Sequence, residues 1–360
     1  MPHDLIVHSH EPLNAEPPLA LLRAAFTTPQ SRFYVRCHGA IPELDAARHR
    51  LRVGGLVGAP LDLSVADLQS RFAPRTVAAV LQCAGNRRAD LQQVAPTTGD
   101  AWQGGAIGHA DWTGVALRDV LLAAGASAGP GLHVVLSGED TLDVKGAPVR
   151  YEVSVAMERA MDSDVLLAWA MNGEALAPEH GHPLRAVVPG YAGVRSAKWL
   201  SAVTVQDAPA ASPVQQHDYK LLPPHMTKVD AEQDANWLAG VPINEMPLNA
   251  VICEPEPGAR LSAGPAPVRG YAVASGRQVV RVDVSADGGR HWVQAALEQG
   301  SGRWDWVFWS ATLDLRPGAH ELAVRAWDSA GQTMPAQPDD TWNIKGYLCA
   351  AWHRVPVTAA

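Results

Sequence analysis

Past residue 245 the chain alternates. Val280-Arg281-Val282-Asp283-Val284-Ser285 sends apolar and polar side chains to opposite faces, and Asp287-Gly288-Gly289 follows as a turn. A period of two is the mark of a half-buried strand. Glu321-Leu322-Ala323-Val324-Arg325-Ala326-Trp327 alternates again, and Trp304, Trp306 and Trp309 decorate a further strand. About 115 residues of short strands and Gly/Pro turns predict an immunoglobulin-like sandwich. Upstream the pattern is mixed. Strand-like runs fall at 49–53, 76–82, 133–137, 184–188 and 202–205, and helix-like runs at 65–72, 117–124 and 155–160. Ser64 is a candidate cap for the first helix, and residues 111–114 are a candidate start for the second. This mixture predicts an α+β layer architecture rather than a βαβ alternation. The N-terminal stretch carries Pro2, Pro12, Pro17 and Pro18 and little alternation, so it is expected to wrap the surface, with a short helix at 18–26. Residues 206–245 hold five prolines and no sustained period and read as a connecting segment. The expected division is a first domain over 1–240, connector included, and a second over 241–360.

Composition narrows the class. A length of 360 residues suits two domains, and 47% hydrophobic with 18% charged residues is ordinary for a globular protein. No apolar run reaches membrane-spanning length. Met1-Pro2-His3-Asp4 lacks a secretory layout, and Val357-Thr358-Ala359-Ala360 is no peroxisomal address, so a cytoplasmic location is expected. The net charge of −8 argues against nucleic acid as a partner. It leaves room for a local basic pocket, because net charge governs long-range steering and a cluster governs a site.

Cys37, Cys83, Cys253 and Cys349 lie far apart without a C-x-x-C pair. That argues against a zinc site, a disulfide framework or an attached c-type haem. Cys83 stands out among them. It follows the apolar run Val77-Ala78-Ala79-Val80 within Leu81-Gln82-Cys83-Ala84-Gly85-Asn86-Arg87-Arg88. The expected picture is a strand ending in a thiol, then a glycine-containing loop with two adjacent cations. Thiolate is the metal-binding form, and nearby arginine charge lowers a cysteine's pKa.

The whole string resembles the molybdenum-ligating segment of the sulfite oxidase family, which includes the molybdenum domain of eukaryotic nitrate reductases. The resemblance continues at Phe33-Tyr34-Val35-Arg36-Cys37-His38, His180-Gly181-His182-Pro183-Leu184-Arg185, Arg195-Ser196-Ala197-Lys198-Trp199 and Ala351-Trp352-His353-Arg354-Val355. It runs in the family's order over nearly the whole chain. It implies a molybdenum–molybdopterin cofactor with Cys83 as the protein's metal ligand. Cofactor contacts then fall to Tyr34, His38, Asp140 (with Asp143 as rival), His180, Arg185, Ser196, Ala197 and Lys198. A guanidinium fork suits the cofactor's phosphate, and a histidine adds a second donor. Arg36, Arg88, Trp102, Tyr219 and Lys345 match the substrate pocket, Trp102 at nineteen residues past Cys83. Cys37 replaces the family's usual asparagine and reads as a small buried residue. His182 matches no required position. Lys345 in Trp342-Asn343-Ile344-Lys345-Gly346 stands where animal members have arginine; it keeps the charge and loses the planar fork.

The implied reaction is oxidation of sulfite to sulfate. Alternatives at the same site are nitrate reduction, towards which Arg36-Cys37-His38-Gly39-Ala40-Ile41-Pro42 and Leu222-Pro223-Pro224-His225 lean, and S-oxide reduction. Arg195-Ser196-Ala197-Lys198 favours the sulfite form. A non-catalytic module that kept the fold is disfavoured by the presence of Cys83 and the phosphate ligands. The family core begins by about Phe33, so no haem domain of the kind animal members carry is expected in this chain. The expected partners are therefore an external electron acceptor (cytochrome, small oxidant or dioxygen) and a second copy of the chain in a homodimer.

Overall fold

Two sheets build the first region, and what each contributes to the site is set by where its strands end. The computed structural model describes residues 4–227, 229–230, 233, 240–300 and 302–360. Residues 1–3, part of the leader reading, and nine positions of the connecting segment lie outside the described residues. One sheet runs in the order Leu61–Leu63, Leu51–Gly55, Leu200–Gln206, His133–Val144, Ala147–Ala156, with only Leu51–Gly55 and Leu200–Gln206 parallel. The other runs Glu174–Ala175, Leu166–Met171, Ile107–Ala116, Pro74–Gln82, and Arg185–Val187 also pairs with Leu166–Met171. Leu51, Leu136, Val153, Leu167 and Val203 share the core between these layers with Leu117, Val120 and Leu121 of a short helix.

The helix Val65–Arg71 starts where Ser64 predicted. Its hydroxyl accepts from the Asp67 N–H at 3.0 Å while the Asp67 carboxylate accepts from the Ser64 N–H at 2.8 Å. Both orphan donors are satisfied by this capping box. The helix Leu117–Ala123 also forms, but residues 111–114 do not start it. They belong to the strand Ile107–Ala116, and the helix follows directly with Leu117 N–H on the Val165 carbonyl at 2.9 Å. The 155–160 run divides. Val155 and Ala156 pair with Val134 and His133 in a long hairpin, leaving a helix only at Met157–Ala160. Ladder pairing there overrides local propensity.

The N-terminal stretch departs most from expectation. Ile6–His10, Leu13–Glu16 and Val35–Arg36 form a three-stranded sheet, and Asn14, Ala15 and Glu16 are buried. The predicted short helix is Leu19–Arg23.

The second region is two sheets. One has the order Asn249–Glu254, Gly264–Val273, Val307–Leu315, Ala296–Gln299, and the other Arg260–Leu261, His353–Ala359, Gly318–Asp328, Val279–Ser285, Val293–Gln294. Val268, Trp309, Val282, Leu322, Val324 and Val355 fill the space between them. Of the three tryptophans, only Trp309 lies on the strand Val307–Leu315. Trp306 packs instead with Leu22, Val80, Ile107 and Tyr271 where the two regions meet, and Trp304 joins the cluster around Cys83.

Candidate active site

Cys83 follows directly on the strand Pro74–Gln82 and is buried. Its Sγ accepts the Gly85 N–H at 3.4 Å. It lines a void with Tyr34, Arg36, His38, Asp140, His180, Arg185, Ser196, Lys198 and Tyr219. These residues come from segments spread over more than half the chain. Of the residues singled out in the sequence, Arg88, Trp102, Ala197 and Lys345 do not line it.

The two arginines after Cys83 part company. Arg87, at φ 64°, turns towards the second region, where its guanidinium meets Asp90 at 2.7 Å, Asn249 Oδ1 at 3.0 Å and the Ala351 carbonyl at 2.7 Å. Arg88 alone stays on the Cys83 side. It lies over the Tyr347 ring at 5.2 Å and donates to the carbonyls of Lys345 (3.1 Å) and Asp100 (2.9 Å). The expectation of a lowered thiol pKa is reversed. Burial lifts the Cys83 thiol above its ordinary value, and Arg36, Arg88 and the Gly85 N–H pull against it without prevailing.

Arg36 and His38 both face the void although two residues apart, because the strand Val35–Arg36 ends between them. His38 Nε2 and the Tyr219 hydroxyl are 2.6 Å apart. Tyr219 is delivered by a π-helical turn, Val214–Asp218, closed by the Tyr219 N–H on the Val214 carbonyl at 3.2 Å, and its ring stacks on Tyr347 at 5.2 Å. Burial pushes the Tyr219 phenol up to about 12 and pushes His38 well down, so both are neutral near pH 7. Trp102 is fully buried beside Cys83, Phe33 and Tyr34, and its Nε1 has no partner among the described residues. Lys345 reaches the carboxylate of Asp218 at 3.8 Å, next to Tyr219 in sequence.

At the other end, Arg185 spends its donors on main-chain carbonyls, His180 at 2.9 Å and Ser196 at 3.1 Å, and lies 4.9 Å from the Trp112 ring centre. Burial lowers it to about 10, still a cation at pH 7. Lys198 donates to the Glu179 carbonyl at 2.8 Å and to Cys37 Sγ at 3.2 Å. His180 differs from its expected donor role. Burial holds it down to about 3, and Nε2 faces the Gln30 carbonyl at 2.8 Å. A neutral ring bonded to a carbonyl carries its proton there, so Nδ1 is an acceptor. Ser196 uses its hydroxyl to accept the Val188 N–H at 3.0 Å, and Ala197 contributes its carbonyl to the Ala186 N–H at 2.8 Å.

Asp140 sits where the pairing of His133–Val144 with its hairpin partner slips between Ser137 and Thr141. Such an irregularity re-aims a side chain. A Cβ at Gly138 would stand 2.5 Å from Asp140 Oδ1, so only glycine admits the carboxylate. That oxygen has no partner among the described residues, and burial raises Asp140 to about 6. Asp143, the rival, is exposed and accepts the Gly146 N–H at the hairpin turn. Cys37 is fully buried, as expected. Sequence reasoning passed over Tyr151, whose hydroxyl donates to the Val194 carbonyl at 2.6 Å in the wall, and Tyr347, which stacks on Tyr219. Tyr151 lies on a strand and reads as core, and Tyr347 lies outside the strands and helices with no local signal.

Four buried or half-buried cations, Arg36, Arg88, Arg185 and Lys198, thus meet carbonyls, an amide, a thiol and ring faces, and no ion-pairing carboxylate among the described residues. Buried charge without a counter-ion is costly. Such a site favours anions, with one thiol and, beside them, a carboxylate whose Oδ1 has no partner among the described residues.

Residues 38–214 match the oxidoreductase molybdopterin binding domain, and residues 241–360 the Mo-co oxidoreductase dimerisation domain. Sulfite oxidase of Gallus gallus is 43% identical over 97% of this chain and 77% of its own length. The chain belongs to the sulfite oxidase family. Arabidopsis thaliana sulfite oxidase is 36% identical over 98% of this chain and 93% of its own. Among solved structures, the sulfane dehydrogenase SoxCD of Paracoccus pantotrophus superposes with a TM-score of 0.82 at 26% identity, covering 99% of this chain and 88% of that one. The protein is therefore a molybdenum-cofactor oxidoreductase. The residues present fit that cofactor: a buried thiol for the metal, Arg185 and Lys198 for a phosphate, and the Asp140 carboxylate for ring N–H groups.

Proposed function

We propose that the protein oxidises sulfite to sulfate and passes the electrons to an acceptor outside this chain. The observation that carries this is the set of unneutralised cations beside Cys83. Arg36 lines the void and both it and Arg88 act on the charge of the Cys83 sulfur, so an oxyanion bound at Arg36 lies against the metal-binding end of the void with the Arg88 charge behind it. When bound, the molybdenum cofactor supplies the oxygen transfer and takes up two electrons.

The chain's own residues do the rest. Arg36, Arg88 and, from the rim, Lys345 offset the charge of a pyramidal dianion in a site poor in water, where such contacts are strong. Tyr219 keeps its proton. With the His38 proton on Nε2, the phenol oxygen accepts from His38 and its own O–H is free for a substrate oxygen. Cys83 would hold the metal; Tyr34, His38, Asp140, His180, Arg185, Ser196, the Ala197 main chain and Lys198 would hold the pterin and its phosphate. Trp102 would back Cys83 and exclude water.

The test is sulfite-dependent reduction of ferricyanide by molybdenum-loaded protein. Turnover is expected to vanish in Cys83→Ser, a larger loss than the roughly 10–100-fold typical of residues behind a ligand. Absence of turnover in the parent with molybdenum bound would transfer the assignment to nitrate or S-oxide reduction.

We further assign residues 241–360 as an immunoglobulin-like sandwich that pairs two copies, with the first domain ending near 240. The match to a dimerisation domain and the two facing sheets support this. Sedimentation equilibrium at micromolar concentration is expected to give twice the chain mass; a monomer would overturn it.

A further inference from the structure

Asn14 lies outside every motif above, in the stretch expected to wrap the surface. It is only 4% exposed, and it pairs with Arg36 across adjacent strands. Its side chain joins three groups. Oδ1 accepts from Arg36 Nη1 at 3.3 Å and from the Cys37 N–H at 3.0 Å. Nδ2 donates to the Asp100 carboxylate at 2.9 Å. The partners fix the amide's orientation, since two donors stand on one side and a carboxylate on the other. Asp100 in turn holds Arg88 through its main-chain carbonyl at 2.9 Å.

This placement solves a specific problem. Arg36 must be held, yet any carboxylate that held it would cancel the charge an oxyanion needs. Asp100 is close enough for its charge to act on Arg36. The Asn14 amide stands between them. It gives Arg36 a second neutral acceptor, beside the Cys37 carbonyl, and occupies the Asp100 carboxylate with a donor. An aspartate at 14 would set two carboxylates face to face and quench Arg36, and an alanine would leave both ions free to pair.

We propose that Asn14 is a positioning residue for the oxyanion pocket: a neutral spacer that orients Arg36 and keeps Asp100 from neutralising it. The proposal rests on the reading of Arg36 as an oxyanion ligand.

The experiment measures the sulfate dissociation constant by calorimetry on the molybdenum-loaded full chain, with sulfite KM and kcat beside it. Asn14→Ala is expected to weaken sulfate about tenfold, the scale of one hydrogen bond to a charged group. KM should rise in parallel, with kcat changed less than about threefold. The second change Asp100→Asn, made in Asn14→Ala, is expected to restore most of the lost affinity, which a purely structural role for Asn14 would not predict. Asn14→Asp, nearly isosteric, should bind sulfate more weakly than Asn14→Ala, and it carries the test if the alanine variant folds poorly. Arg36→Met separates the two levels of argument. If it leaves sulfate affinity intact, the reading of Arg36 falls. If it weakens sulfate while Asn14→Ala does not, or if Asp100→Asn fails to rescue, the spacer role is overturned.

Discussion

The two ends of the void hold their cations by different means. At the cofactor end, Arg185 is gripped by main-chain carbonyls and Lys198 by a carbonyl and a thiol. At the end proposed for the substrate, carbonyls also meet Arg36 and Arg88, but side chains hold side chains as well: Asn14 on Arg36, His38 on Tyr219, Asp218 on Lys345. A carbonyl belongs to the backbone and moves only with the fold. A side-chain partner can be replaced by one mutation. On the proposed reading, the grip on a large, permanent cofactor is written into the fold, while the charge balance around a small, exchanging anion rests in part on a few replaceable residues.

The larger effect is expected at the cofactor end. Asp140→Asn should shorten molybdenum retention by roughly 10–100-fold, as for other residues that support a metal group from behind. Its effect on the empty protein should be opposite. The folded carboxyl sits at about 6, above the ordinary 3.8, because of burial. A raised carboxyl pKa means that ionisation opposes folding. The penalty is fully present above about pH 6 and fades as pH falls towards 4. The empty parent should gain stability from pH 7 to pH 5 relative to the variant, and Asp140→Asn should be the more stable of the two at pH 7 by on the order of 2 kcal/mol. Melting curves of metal-free protein across that range check this. A variant no more stable than the parent at pH 7 would show that the carboxylate is already satisfied.

A smaller effect is expected at the substrate end. Lys345→Arg adds a planar fork where the ammonium now leans on Asp218 at 3.8 Å. The sulfite KM should fall by about two- to fivefold, within the range of a rim ion pair. An unchanged KM would mean that Lys345 serves the pocket only through its carbonyl, which holds Arg88.

Much of this was legible along the chain. Alternation located Val279–Ser285 and Gly318–Asp328, and Ser64 marked its helix, because these depend on neighbours in sequence. The motif residues also converged: ten of the fourteen line one void, drawn from segments between Tyr34 and Tyr219. The N-terminal sheet was not legible. Asn14 and Glu16 look like surface residues, and their burial comes from partners far away: Glu16 accepts the N–H groups of Gln103 and Gly105 at 2.7 and 2.8 Å, fastening the loop that carries Trp102.

The sequence by itself determined many of the elements, and its motifs pointed to one thiol, several cations and a set of acceptors that meet. Tertiary structure decided how their charges balance. Adjacent in sequence, Arg87 and Arg88 serve opposite sides of the molecule, and Cys83 follows its burial rather than its neighbouring arginines. The reason is physical. Strand and helix patterns are set by periodicity within a few residues, whereas electrostatics depends on through-space distance and on how much water the fold removes, and neither is fixed until the chain has closed on itself.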